Sequence, residues 1–218
     1  MACDGHQLAE ALRATIADER VLRAIAEVPR DRFVPTDLRD AAWDDEALPI
    51  AAGQTISQPT VVARMCELLA LTGRETVLDV GTGSGYHAAV LARLCAHVYS
   101  IERHPELTDR ARRALARAGT DNVTLMVGDG TRGHPEAAPY GAINVAARTD
   151  RVPPALLQQS ADHGTLVIPV EAEGQHLIRL RRDGATVTEE RLDPVSFVPL
   201  VDGQPEAGDP GSGKPGQT

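Results

Sequence analysis

The chain has 218 residues, of which 42% are hydrophobic and only 3% aromatic, and its formal net charge is −9. This length suits one domain with a sizeable core built mostly from Ala, Leu and Val. The negative charge argues against nucleic acid and membrane surfaces as main partners, because both are themselves negatively charged.

The first 72 residues are predicted to form a helical N-terminal part. Apolar residues at helical spacing favour helix from about Gly5 to Val28. The proline-bracketed stretch VPRDRFVP, residues 28–35, is predicted to be a loop, and residues 36–49 are acidic and irregular.

The polar stretch GQTISQPT, residues 53–60, leads directly into an apolar helix. That helix is predicted to end near Thr72 and Gly73, where the glycine can act as a cap. A helix start with Ser57 as N-cap and Pro59 in the first turn accounts for some of the polar residues. It does not account for all of them, so a functional role for this stretch stays open.

Short apolar strands alternate with helical patterns from residue 76 to residue 170. This alternation predicts right-handed βαβ units and a parallel sheet with helices on both faces. Two later runs, QHLIRLRR and ATVTEERL, flank Asp183-Gly184 and predict an antiparallel edge hairpin. The predicted strands are TVLDV (76–80), HVYSI (97–101), VTLMV (123–127), AINVA (142–146) and GTLVIPV (164–170). The helical patterns are YHAAVLARLC, PELTDRARRALARAG and PPALLQQSA.

The stretch VLDVGTGSGY places a glycine loop at the carboxyl end of the first of these strands, where such sheets bind nucleotides. Gly81, Gly83 and Gly85 would let the backbone approach a ligand, and Ser84 lies among them. The helix that follows offers free N–H groups at its start. The spacing G-x-G-x-G is shorter than the dinucleotide fingerprint, and this favours S-adenosylmethionine as the ligand.

Two acidic residues stand at the ends of the next two strands. Glu102 follows Gly81 by about 20 positions, the spacing expected of an acid that binds ribose hydroxyls. Asp129, beside Gly130, can accept a hydrogen bond from an adenine amino group. Each residue alone could be an ordinary strand end or turn. Together with the glycine loop they predict a nucleotide-type ligand.

Three cysteines, Cys3, Cys66 and Cys95, are far apart and form no CxxC pair. We interpret them as reduced thiols of a cytoplasmic protein. The histidines are scattered without ligand spacing, so no metal site is predicted, and His87 is assigned to the first turn of a helix. The N-terminus has no signal-peptide core, and no apolar run approaches the roughly 20 residues that a membrane span needs.

Over about residues 28–200 the chain resembles the protein-L-isoaspartate (D-aspartate) O-methyltransferases. TISQP and GTGSGY together are specific to that family, whereas GTGSG alone would indicate only a methyltransferase. The matching pieces follow the family's order and spacing: VPRDRFVP, ALPIAAGQTISQP, VLDVGTGSGYHAAVLA, VYSIERHPEL, DNVTLMVGDG, VPPALL, GTLVIPV and FVPL.

The resemblance implies an α/β fold of the Rossmann-like class I methyltransferase type, with a seven-stranded, mostly parallel sheet and an antiparallel edge hairpin. It implies one domain over residues 1–200, in which residues 1–72 cap substrate and cofactor and residues 73–200 form the core. The Gly- and Pro-rich residues 201–218 are expected to be a disordered tail. The implied cofactor is S-adenosylmethionine, the implied partners are isoaspartyl-containing proteins or peptides, and a monomer is expected.

The resemblance also implies a role for the polar stretch. In the family the TIS segment closes over the cofactor and meets the substrate carboxylate, and its serine is treated as the active residue. Here that serine is Ser57, with Gln54, Thr55 and Ile56 beside it. A carboxylate is already ionised at neutral pH, so the site only has to hold its oxygen in line with the methyl group and exclude water.

One stretch, YGAINVAARTDRVPPAL, departs from the family's pattern. The family usually has Asp where Gly141 stands and a small Ala/Pro-rich loop at residues 148–151. Drift on a solvated loop is one interpretation. The other is a changed acceptor site, in which Arg148 or Arg151 pairs with a substrate carboxylate and Thr149 lies beside it.

Three functions stay open. The first is repair, in which the methyl ester of an isoaspartyl residue closes to a succinimide whose hydrolysis restores some aspartate. The second is tailoring of an ordinary aspartate in a biosynthetic precursor peptide, and the third is a cofactor-binding protein that has lost catalysis. The short stretch after FVPL favours repair, and the intact GQTISQP and VLDVGTGSGY argue against the third.

The arginine-rich helix DRARRALARAG is interpreted as a solvated face.

Overall fold

A seven-stranded sheet organises residues 4–203, the part of the chain that the computed structural model describes. The helices are α1 (Gly5–Leu12), α2 (Glu19–Glu27), α3 (Pro59–Leu69), α4 (Tyr86–Ala92), α5 (Pro105–Arg117) and α6 (Pro154–Gln158). The strands are β1 (Leu48–Pro49), β2 (Thr55–Ile56), β3 (Thr76–Val80), β4 (His97–Glu102), β5 (Val123–Val127), β6 (Tyr140–Val145), β7 (Ser160–Glu171), β8 (Gln175–Asp183) and β9 (Thr186–Pro194).

The strand order in the sheet is β5-β4-β3-β6-β7-β8-β9. The first five strands in this order are parallel, and β8 and β9 add the antiparallel edge hairpin. The predicted fold class is therefore confirmed. The chain proceeds from β3 to one side and then returns to place β6 on the other side of β3. A crevice forms at the carboxyl ends of strands at such a switch point.

The strand β3 shows why the strands at the centre of the sheet are short apolar runs in the sequence. Parallel strands are covered by helices on both faces, so nearly every residue needs an apolar side chain. Val77 packs in the core on the face that holds α3 and α4, while Leu78 and Val80 pack in a second core with Leu156 of α6. The side chains of Val77, Leu78, Val80 and Leu156 are all buried. Asp79 alternates with Leu78 and Val80 and therefore belongs to the α3 and α4 face.

The helical pattern predicted from Gly5 to Val28 is two helices joined by a turn. The side chain of Asp18 accepts a hydrogen bond from the Arg20 N–H and caps α2. The carboxylate of Glu67, on α3, accepts the N–H groups of Ala17 (2.7 Å) and Asp18 (3.0 Å). These contacts hold the backbone of the turn between the two helices, and the apolar spacing does not reveal them.

The end of α3 also differs from its prediction near Thr72 and Gly73. The helix ends at Leu69, and Ala70 adopts the left-handed conformation at φ 52°. The Glu75 carboxylate then accepts the N–H groups of Thr72 and Gly73 at 2.9–3.0 Å. These bonds fold the chain into a turn before β3, so the helix stops one turn early.

The predicted disordered tail, residues 201–218, is described only as far as Gly203. The N–H of Gly203 donates to Asp129 Oδ2 at 2.9 Å, so the first residues of this stretch contact the domain. Residues 204–218 lie outside the described residues, as does Cys3, while Cys66 and Cys95 are buried free thiols. Among the helices described here, none has the length and apolarity to cross a membrane.

Candidate functional site

A cleft opens at the carboxyl ends of β3, β4 and β6, at the switch point of the sheet. Gly81 and Gly83 in its wall have φ of 94° and 54°, a region in which other residues are strained. These glycines therefore set the shape of the loop and leave its backbone accessible. Six of the residues predicted to bind a cofactor line the cleft: Gln54, Thr55, Gly81, Gly83, Glu102 and Gly130.

Glu102 holds the glycine loop and lines the cleft at the same time. Its side chain is buried; Oε2 accepts the Gly83 N–H at 2.9 Å and Oε1 accepts the His104 N–H at 3.0 Å. An ionised carboxylate has about four lone-pair positions, so two acceptor positions remain. This is the arrangement that two neighbouring ribose hydroxyls require.

Both carboxylate oxygens of Asp129 already accept hydrogen bonds from the protein, which the sequence does not show. Its Oδ1 accepts the N–H and the hydroxyl of Thr131 at 2.9 and 2.7 Å, and its Oδ2 accepts the Gly203 N–H. Burial raises the pKa of Asp129, but these hydrogen bonds outweigh it and hold the pKa below its ordinary value. An adenine amino group would therefore share an oxygen that already has a partner.

Gly130, next to Asp129, allows the turn to pack onto the sheet. A Cβ at this position would lie 2.4 Å from Val80 Cγ1. The other side of the glycine loop holds two further predicted residues that do not line the cleft. Ser84 Oγ accepts the Tyr86 N–H at 3.2 Å, and Gly85, at φ 88°, packs against Ala111 of α5.

The GQTIS segment contains β2 (Thr55–Ile56), which pairs with β1 in a small antiparallel flap. The Ile50 N–H donates to the Gln54 carbonyl at 2.8 Å and closes the flap. The Thr55 carbonyl lies 4.0 Å from the Cβ position of Gly83, so the flap contacts the glycine loop. Ile56 is buried in the core, whereas Ser57 is half-buried and lies outside the cleft lining.

The predicted Ser57 cap is wrong. The N-cap residue of α3 is Gln58, and Asp45 supplies the cap from a distant loop. Asp45 Oδ1 accepts the Thr60 N–H at 2.8 Å, and its Oδ2 accepts from the Thr60 hydroxyl and from Gln58 Nε2. Within residues 4–203 the Ser57 hydroxyl has no hydrogen bond, so it remains available to a ligand.

The Asp45 cap leads to a stability prediction. Asp45→Ala should lower the free energy of unfolding by about 1–2 kcal/mol, because the first turn of α3 loses its side-chain acceptor. Urea denaturation measures this, with Asp44→Ala as the matched control at an exposed neighbouring position. Equal stability of the two variants would mean that Asp45 is not the cap.

Arg30, in the predicted loop VPRDRFVP, is fully buried. Its guanidinium donates to the carbonyl oxygens of Ala42 (2.5 Å), Glu46 (2.9 Å) and Ser57 (3.1 Å). It also lies 5.6 Å from the ring centroid of Tyr86, in the first turn of α4. Arg30 therefore ties the flap segment to the loop before it and to the helix that follows the glycine loop. No motif in the sequence points to this role of Arg30.

A buried polar network lies beneath the glycine loop. Asp79 accepts from the Ser100 hydroxyl and from Asn144 Nδ2, each at 2.7 Å. Burial raises the pKa of Asp79 to about 6, although those two hydrogen bonds lower it and the charge of Glu102 raises it further. His87 Nδ1 lies 3.3 Å from Asn144 Nδ2, and burial lowers the pKa of His87 to about 3. His87 is thus a neutral core residue in the first turn of α4.

Asp79 gives a pH prediction. Its folded-state pKa is above its unfolded value near 4, so the folded state holds the proton more tightly. The stabilisation is complete below about pH 4 and is lost as the pH rises through about 6. The unfolding free energy of wild type relative to Asp79→Asn should therefore fall by about 2 kcal/mol between pH 4 and pH 7. A difference that stays constant across this range would contradict the prediction.

The loop at residues 148–151, which departs from the family's pattern, is held to the rest of the domain by hydrogen bonds and an ion pair. The Arg148 N–H donates to Val198 O at 2.9 Å, and the Thr149 N–H donates to Pro169 O at 3.1 Å. The Arg148 guanidinium pairs with Glu171 at 3.2 Å. A role of Arg148, Thr149 or Arg151 toward a substrate stays a prediction.

Two further features lie outside the cleft. At Gly141, where the family usually has Asp, a Cβ would lie 2.9 Å from Glu75 Cγ, so a side chain there would require Glu75 to shift. Asp162, His163 and Asp183 come together at the exposed turn of the edge hairpin, a cluster that sequence spacing does not show. Asp162 Oδ1 already accepts the Gly184 N–H at 2.6 Å, which closes that turn.

Comparison with known proteins agrees with this geometry. A family model described as protein-L-isoaspartate(D-aspartate) O-methyltransferase matches residues 5–205. The protein-L-isoaspartate O-methyltransferase of Roseiflexus castenholzii is 51% identical over 193 residues, which cover 88% of each chain. That of Klebsiella pneumoniae is 50% identical over 189 residues, which cover 87% of this chain and 91% of the relative.

A solved structure from Plasmodium falciparum has the same architecture. It is described as a protein-L-isoaspartate O-methyltransferase in complex with S-adenosyl-L-homocysteine. It superposes with a TM-score of 0.79 at 25% identity, over 91% of this chain and 98% of the other. With the family match over nearly all described residues and relatives at half identity, the chain belongs to the protein-L-isoaspartate(D-aspartate) O-methyltransferase family.

Proposed function

We propose that the protein transfers the methyl group of S-adenosylmethionine to the free α-carboxylate of L-isoaspartyl residues in damaged proteins or peptides, and so starts their repair through a succinimide. One observation carries this proposal: the flap with Gln54 and Thr55 lies against the glycine loop and lines the same cleft as Glu102. The segment that the family uses at the substrate carboxylate thus adjoins the predicted cofactor site.

The residues around the cleft fit the cofactor. Gly81 and Gly83 allow a close backbone approach, and Glu102 retains acceptor positions for two hydroxyls. The cofactor, when bound, supplies an electrophilic methyl group. Asp129 and Gly130, at the end of the next strand, would hold its adenine end. The S-adenosyl-L-homocysteine complex of the Plasmodium falciparum structure supports the same assignment.

The acceptor oxygen needs positioning rather than activation. A carboxylate has an ordinary pKa near 4 and is ionised at neutral pH, so no base has to remove a proton. The Ser57 hydroxyl can donate to that oxygen, and the flap supplies Gln54 and Thr55 to the wall of the cleft, where it would shield the reacting atoms from water. Arg30 acts through the Ser57 carbonyl and holds the backbone of this segment.

The comparisons favour repair over the tailoring alternative, since relatives at about half identity are protein-L-isoaspartate O-methyltransferases over most of this chain. The cytoplasmic location and the monomeric state are proposed from the sequence alone. A protein that only binds the cofactor is distinguished by measuring binding and turnover separately. Transfer of labelled methyl to an isoaspartyl peptide, and not to its aspartyl twin, is the expected result.

Ser57→Ala should reduce kcat for an isoaspartyl peptide by about 10- to 100-fold, because a hydrogen bond to a charged oxygen is lost. The Kd for S-adenosylmethionine should stay within about twofold, since Ser57 does not line the cleft. Steady-state kinetics and calorimetry together measure this. Unchanged kcat would remove Ser57 from its proposed role.

A further inference from the structure

A second groove, of about 400 Å³, adjoins the cofactor cleft at Gly83. It runs between the loop at residues 32–39 and helix α5. Among residues 4–203 no acidic residue lines it, in a protein whose formal net charge is −9. The charged residues that line it are all arginines: Arg32, Arg39, Arg110, Arg113 and Arg117.

Four of these five arginines have no acidic partner within the described part of the chain. Among residues 4–203, only Arg110 of the five forms an ion pair, with Glu106 at 2.7 Å. Arg32 donates to the carbonyl oxygen of Arg117, which leaves both positive charges in place. All five residues are exposed. The groove therefore has a positive electrostatic potential. Guanidinium groups can bind carboxylates through two parallel hydrogen bonds.

The groove lies beside the flap that carries the proposed active segment. Ile50 lines the groove, and its N–H donates to the Gln54 carbonyl of the flap. Gly83 lines both the groove and the cofactor cleft. An extended peptide advances about 3.3–3.6 Å per residue, so residues a few positions from the reacting one can reach the groove.

We propose that this groove binds acidic side chains of the substrate polypeptide that flank the isoaspartyl residue. The inference rests on the proposed function and adds a preference to it. An acidic peptide is the occupant that the charge selects, because two or more carboxylates could each meet an arginine that forms no ion pair among residues 4–203. The helix α5, which the sequence presents as a merely solvated face, supplies one wall of a binding site.

Two peptides of equal length test the inference. Both contain one isoaspartyl residue, flanked on each side by glutamates in one peptide and by glutamines in the other. Fluorescence anisotropy gives the Kd of each, and methyl transfer gives the KM. We expect the glutamate peptide to have about three- to tenfold lower Kd and KM at low salt. Salt at about 0.5 M should abolish most of this difference, because it screens the attraction between exposed charges.

The double variant Arg113→Gln/Arg117→Gln should bring the Kd ratio of the two peptides close to one. Arg112→Gln is the matched control, because Arg112 is on the same helix, pairs with Asp109 and does not line the groove. A ratio near one in the wild type, or a ratio that survives the double variant, would overturn the inference. If the wild-type protein transferred methyl to neither peptide, the proposed function would be refuted. The ratio of the two Kd values would still decide whether the groove binds acidic residues.

Discussion

Arg30→Met is expected to lower the free energy of unfolding by about 3 kcal/mol and to reduce methyl transfer at least about tenfold. The variant fills a similar volume but leaves the carbonyl oxygens of Ala42, Glu46 and Ser57 without their donor. Each buried acceptor without a partner costs about 1–3 kcal/mol. The Ser57 carbonyl belongs to the flap segment, so the loss should reach the site as well as the core.

Urea denaturation and steady-state kinetics at a temperature where both proteins are folded separate these two effects. Arg30→Lys is a useful intermediate, because an ammonium group cannot reach all three carbonyls in the fork geometry of a guanidinium. Arg23→Met, on the exposed face of α2, is the matched control for the change of residue type. If Arg30→Met behaves like Arg23→Met in both assays, Arg30 does not position the flap.

The second large effect is expected at the cofactor. Glu102→Gln should raise the Kd for S-adenosylmethionine by about 10- to 100-fold, because hydrogen bonds to a charged acceptor contribute about 1.5–3 kcal/mol. The amide keeps one acceptor oxygen and replaces the other by a donor. It therefore cannot accept both the Gly83 and His104 N–H groups and two hydroxyls.

Isothermal titration calorimetry measures the affinity directly, without a peptide substrate. Glu106→Gln is the matched control, because Glu106 lies on the exposed side of α5 and pairs with Arg110. An unchanged Kd in Glu102→Gln would remove the carboxylate from the cofactor site. A tenfold change in both variants would indicate a general effect of net charge.

The sheet was predictable because its central strands are buried on both faces and read as apolar runs. The bounds of TVLDV agree with those of β3 in the centre of the sheet. The bounds of VTLMV agree with those of β5, which is an edge strand whose residues are half-buried or exposed. The strand β7 begins at Ser160, four residues before its predicted start, since Ser160 pairs with Tyr140 across an irregular register. Polar residues at that end gave no strand signal, so only the tertiary pairing defines them.

The cofactor side of the site was also predictable, since the glycine loop and Glu102 stand at fixed offsets along the chain. The supporting contacts were not. Arg30 reaches the Ser57 carbonyl across 27 positions, and Asp45 caps α3 from 15 positions before Thr60. The arginine groove joins residues 32–39 to α5, which are distant in sequence. Such contacts depend on how the helices pack, and no local pattern encodes them.

The most direct test of the proposed repair follows an isoaspartyl peptide and its aspartyl twin through the whole reaction with S-adenosylmethionine. Chromatography quantifies the methyl ester, the succinimide and the recovered aspartyl peptide over time. We expect ester to form only on the isoaspartyl peptide and aspartyl peptide to accumulate after it. Ser57→Ala should slow ester formation, so that less ester enters the later steps, which need no enzyme. Ester on the aspartyl peptide, or on neither peptide while the cofactor binds, would contradict the proposal.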